Sequence, residues 1–157
     1  PLLKTVTAFT LAHSLALALA TLDLVRIPSV PTEAVISLSI LLLAVEVVHK
    51  NEGKLTSSER WPWLVAFGFG LVHGLGFAGA LSEIGVPQNE VPLALLMFNL
   101  GVETGQVMFV LAVSLLLAGL HRLHGQTVLT LTRATPYAIG GIAAYWTIDR
   151  LVGTFSM

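Results

Sequence analysis

Residues 62–84 read PWLVAFGFGLVHGLGFAGALSEI, and from Pro62 to Leu81 the only ionisable side chain is His73. A helix that crosses the ~30 Å hydrocarbon core of a bilayer needs roughly 20 mainly apolar residues. In lipid the backbone N–H and C=O groups find partners only in each other, so such a segment must be helical. Four more stretches fit this reading, at about residues 3–25, 32–48, 91–120 and 135–152. Pro31 suits the start of the second. The stretch 91–120 exceeds the core thickness at ~1.5 Å per residue, so it is expected to tilt or protrude. Polar segments at 49–60 (HKNEGKLTSSER) and 121–133 are expected to be loops. The expected fold is a single all-α domain, a polytopic transmembrane helix bundle of about five spans.

Composition agrees. Of 157 residues, 55% are hydrophobic and 11% charged, against about 25% charged in a soluble domain. Too few charges are present to cover a water-facing surface, so membrane lipid is the expected solvent. A net charge of −1 gives no reason to expect nucleic acid. The chain has no cysteine, which excludes disulfides and thiolate metal sites. Pro1 in place of Met is expected of a processed or partial chain.

Orientation follows from the basic residues. Lys4, Lys50, Lys54, Arg60, Arg122 and Arg133 fall on one side; Arg26 and Arg150 fall on the other with Asp23, Glu33, Glu83, Glu90 and Asp149. The first side is expected to be cytoplasmic, with the N-terminus cytoplasmic and the C-terminus outside. Trp61, Trp63 and Trp146 suit the interfacial belt.

Ionisable groups at mid-membrane cost about 2.5–3.5 kcal/mol each on insertion scales and usually face the bundle interior. His13, His73 and Glu103 lie near the middle of their spans, and Glu46 lies about one turn from the end of the second. Around His73 the i±3 and i±4 positions are Phe69, Gly70, Gly76 and Phe77, a small-residue face that lets helices approach. Around His13 they are Phe9, Thr10, Ala16 and Leu17. Asn99, Glu103 and Gln106 share one stripe, with Gly101 and Gly105 beside it. Three polar faces at similar depth predict one site, with His13, His73 and Glu103 as ligands and Glu46, Asn99, Gln106 and Ser14 as supporting or path residues. Imidazole with carboxylate suits a divalent transition cation such as Ni²⁺, Co²⁺, Zn²⁺ or Fe²⁺.

Each residue also has a structural reading. A membrane histidine serves as an interhelical hydrogen-bonding group, and Asn99 and Gln106 serve the same way. Glu46 has Lys50 at i+4 as a partner. The glycines read first as packing devices. His49, His121 and His124 read as solvated.

The motifs FTLAHS (Phe9 to Ser14), FGLVHGLGFA (Phe69 to Ala78) and FNLGVETGQ (Phe98 to Gln106) resemble the HupE/UreJ family of membrane proteins, in particular its divergent second branch. The AVE stretch ending at Glu46 and YWTIDR at 145–150 also fit. The resemblance implies a bacterial inner-membrane protein associated with nickel or cobalt uptake for hydrogenase or urease. The Gly-x-Asp-His pattern of the better-known branch does not occur in this chain.

The expected function is a metal-cation permease or metal-binding membrane protein rather than an enzyme. The alternatives are a metal-dependent intramembrane hydrolase, in which the metal activates water with Ser14 or Glu103 assisting, and a structural subunit of a larger membrane complex. Beyond lipid and the metal ion, a membrane-complex partner or a second copy of the chain is the expected company.

Overall fold

The computed structural model describes residues 2–25, 29–84 and 90–155. Arg26, residues 85–89 and the side chains of Glu83 and His124 lie outside the described residues. The described chain is helical without strands: α1 (Leu2–Thr21), α2 (Ser29–Asn51), the single turn α3 (Ser57–Arg60), α4 (Pro62–Ile84) and α5 (Val91–Phe155).

The helix ends carry local signals. Asp23 sits at φ 61° after α1, and Gly53 at φ 78° after α2. In both places the chain closes with paired backbone bonds. Leu24 N–H donates to Leu19 C=O at 2.9 Å and Asp23 N–H to Ala20 C=O at 3.1 Å; Lys54 N–H donates to His49 C=O at 3.0 Å and Gly53 N–H to Lys50 C=O at 2.9 Å. This is the Schellman ending, in which a left-handed residue lets the last carbonyls find donors. Pro62 occupies the first position of α4, where the missing N–H costs no intrahelical bond.

Side-chain distribution is inverted relative to a water-soluble bundle. The buried apolar residues are mostly small, among them Ala12, Ala16, Ala34, Ala44 and Ala143. Large side chains point outward, with Leu11 63% and Leu115 73% exposed. Among the described residues three helices are long and apolar enough to cross a membrane: Leu2–Thr21, Pro31–Asn51 and Val91–Arg122. Pro62–Phe77 is a shorter apolar helix among the described residues.

Close contacts set the helix directions. Gly70 lies against the Phe9 carbonyl and Gly74 against the His13 carbonyl, so α1 and α4 run parallel. Ser39 meets His73 and Ile36 meets Gly76, so α2 and α4 run antiparallel. In the first limb of α5, Phe98 meets His13 and Glu103 meets Thr7, antiparallel to α1. In the last limb, Gly140 packs on Ala44 at 3.2 Å, Thr147 bonds Ser37 and Arg150 pairs with Glu33 at 3.1 Å, antiparallel to α2. The two limbs of α5 therefore run in opposite directions. A straight helix of its 65 residues would reach roughly 97 Å, about three bilayer cores. The reversal falls between Leu117 and Leu131, since a cavity of about 580 Å³ is lined by both, together with Val113, Thr135 and Ala44.

The expected loop at 121–133 is thus corrected: its backbone is helical, and no non-helical residue separates the limbs. Polarity marks where a chain can leave lipid but does not by itself break a helix, for which Gly and Pro are the strongest local signals. This segment has no Pro and only Gly125.

Candidate functional site

His13 is 4% exposed. Gly74 lets the α4 backbone close onto the His13 carbonyl, so α1 is seated deeply against α4. Three phenyl rings wall the imidazole: Phe9 and Phe98 stack on it with centroids at 5.8 and 5.9 Å, and Phe77 meets it edge-on at 6.1 Å. Neither Nδ1 nor Nε2 has a hydrogen-bond partner. Leaving such a buried group unsatisfied costs about 1–3 kcal/mol, so its position calls for a ligand or a compensating role.

His73 touches the same phenyl ring, edge-on to Phe9 at 5.7 Å. Its Nε2 lies 3.1 Å from Ser39 Oγ. With Ser39, Phe9 and Gln106 it lines a cavity of about 480 Å³ between α1, α2, α4 and α5, which extends to Ser58 and Pro62 at one end of the bundle. The wall is mainly apolar, with Val65, Phe69 and Phe109 among its members.

Glu103 is partly buried and accepts a long bond, 3.4 Å, from Thr7 Oγ1. Thr7 precedes His13 by six residues, about 9 Å along the axis, so Glu103 sits toward the Lys4 end relative to the two imidazoles. The structure brings His13 and His73 together around Phe9 and places Glu103 on the next turns of the same α1–α5 seam. Among the described residues no three His, Asp or Glu side chains converge closely enough to hold a metal ion.

The supporting residues divide. Asn99 donates from Nδ2 to Leu95 C=O at 2.8 Å, while its Oδ1 is buried without a partner, as is Gln106 Oε1. Ser14 turns back to Thr10 C=O at 2.6 Å. Glu46 is engaged away from these groups: its two carboxylate oxygens accept the N–H groups of Ser57 at 3.0 Å and Ser58 at 2.9 Å. It thereby satisfies the free donors at the start of α3, where Thr56 makes no side-chain cap. Lys50, the alternative partner of Glu46, pairs with Glu59 at 3.0 Å.

Sequence reasoning missed Thr7 and Ser39, and it treated Thr10 and the phenylalanines as neighbours rather than as parts of the site. A signal was present in the motifs, since Phe9 lies at i−4 from His13, Phe77 at i+4 from His73, and Phe98 next to Asn99. Thr10 adds a further buried hydroxyl oxygen without a partner.

An all-helical bundle with apolar outer faces and its unsatisfied polar atoms gathered inside defines a polytopic membrane protein. The family described as HupE / UreJ protein matches residues 1–150, and the chain belongs to that family. No curated protein and no solved structure matches the chain significantly.

Proposed function

We propose that this protein binds and passes a divalent transition-metal cation of the nickel or cobalt type across the bacterial inner membrane. The observation that carries this reading is the set of buried polar atoms without partners on the facing helices α1 and α5: both His13 nitrogens, Thr10 Oγ1, Asn99 Oδ1 and Gln106 Oε1. Four of these residues present a lone pair, and Glu103 adds a carboxylate on the Asn99–Gln106 stripe. Neutral imidazole, carboxylate and amide oxygen form a donor set for borderline divalent cations. Conduction needs binding favourable enough to enter and weak enough to leave. Donors strung along successive turns serve that need better than a closed cage does.

In this reading His13 and His73 are the principal ligands, and Glu103 supplies the charge that offsets the cation in low dielectric. Asn99 and Gln106 extend the path, and the cavity beside His73 is its approach. Glu103→Gln keeps a bond acceptor for Thr7 while removing the charge. It is expected to weaken Ni²⁺ or Co²⁺ binding at least tenfold, with thermal stability unchanged. Calorimetric titration of both purified proteins measures this, and superimposable isotherms would remove Glu103 as a ligand.

The basic asymmetry orients the bundle with Lys4, Lys50, Lys54 and Arg60 in the cytoplasm. Single cysteines introduced at Ser57 and Glu90 are expected to react with impermeant maleimide from the inside and the outside, respectively. Labelling of Ser57→Cys in intact cells would reverse the orientation.

A further inference from the structure

The contacts of Ser39 bear on the chemistry of His73. Ser39 is buried on α2. Its Oγ lies 2.6 Å from Ile36 C=O, one turn back on the same helix, and 3.1 Å from His73 Nε2 on α4. A serine hydroxyl has a single proton and a carbonyl can only accept. The shorter contact, to the acceptor-only partner, takes that proton. Ser39 Oγ then meets His73 with a lone pair, and the 3.1 Å contact is a bond only if Nε2 carries hydrogen. A neutral imidazole with its proton on Nε2 has its in-plane lone pair on Nδ1.

We propose that Ser39 is a positioning residue that holds His73 as the Nε2–H tautomer and leaves Nδ1 as its one free nitrogen. On the metal reading given above, Nδ1 is then the atom that receives the cation. The relay Ile36 C=O, Ser39 hydroxyl, His73 ring has the form found behind metal-binding histidines, whose second nitrogen donates to a fixed acceptor that sets tautomer and ring orientation. The acceptor belongs to the α2 backbone turn, so the ring of α4 is oriented by a different helix. His73 and Ser39 line the same cavity as Gln106, whose Oε1 has no partner.

The test uses the full chain, metal-free, with ¹⁵N-labelled histidine, in detergent at a pH where imidazole is neutral. The His73 resonances, assigned by their loss in His73→Gln, are expected to show a protonated Nε2 and an unprotonated Nδ1. Ser39→Ala removes the acceptor and is expected to move both shifts toward the averaged values of a mixed tautomer; Ser39→Thr, which keeps the hydroxyl, is expected to restore them. Purely structural packing by Ser39 would leave the shifts unchanged. Proton on Nδ1 in the wild type, or shifts indifferent to Ser39→Ala, overturns the proposal. In parallel, Ni²⁺ titration is expected to show affinity about tenfold weaker in Ser39→Ala. Tautomer shifts as expected with no cation binding in any of the proteins support the positioning role and remove only the metal reading.

Discussion

Gly74→Leu is expected to separate α1 from α4 and abolish the stable fold, while Gly101→Ala and Gly105→Ala leave the protein intact or slightly more stable. A Cβ at Gly74 would meet the His13 carbonyl oxygen and, at 2.9 Å, Ala16 Cβ; at Gly70 it would meet the Phe9 carbonyl oxygen and, also at 2.9 Å, Ala12 Cβ. These are backbone atoms and first side-chain carbons, which have no rotamer by which to move aside. The helices themselves must part, and with them the seat of His13. A leucine there belongs at the upper end of overpacking costs, more than about 3 kcal/mol, which a helix-propensity gain of about 1 kcal/mol does not offset. Gly101 and Gly105 have nothing within 4 Å of an added Cβ. At those two positions only the propensity gain remains. Thermal unfolding of the detergent-solubilised variants, followed by loss of the monodisperse gel-filtration peak, measures the contrast. Wild-type stability of Gly74→Leu would contradict the α1–α4 packing.

His13→Leu is expected to abolish Ni²⁺ or Co²⁺ binding and at the same time raise stability by on the order of 1 kcal/mol, because two buried unsatisfied nitrogens cost about 1–3 kcal/mol each. Leucine is of similar bulk and leaves no polar atom among Phe9, Phe77 and Phe98. Against this gain stands the loss of ring stacking, worth about 0.5–1.5 kcal/mol per aromatic pair; the unsatisfied nitrogens outweigh it because both are without partners. If His13 serves packing alone, the same substitution lowers the melting temperature and leaves metal binding as it was. Melting curves and calorimetric titrations of the two proteins separate these outcomes. A gain in stability accompanied by loss of binding is the signature of a group held in place for a ligand.

The helical, lipid-facing character of the chain was legible from local sequence. Runs such as 62–84 leave the backbone no partner but itself, so composition alone determines that they are helices. The burial of His13 was legible too, because an ionisable group in such a run is driven to the interior. The matched family was legible in the three motifs around His13, His73 and Glu103.

What tertiary structure decided is which local feature meets which neighbour. Gly70–Gly74 and Gly101–Gly105 have the same spacing in sequence, yet only the first pair lies against another backbone. Spacing sets a face, and topology sets what covers it. Glu46 has Lys50 one turn away but takes the N–H groups of Ser57 and Ser58, because a helix start presents two fixed donors where a lysine presents a flexible, solvated charge. Equal position within a span also did not give equal depth. Helices slide relative to one another at about 1.5 Å per residue, and the pairing of Glu103 with Thr7 rather than with a residue near His13 is set by how α5 docks on α1. The segment 121–133 shows the same division: its polarity was local information, while its path, helical on both limbs and reversed between Leu117 and Leu131, was decided by the docking of one limb on α1 and the other on α2.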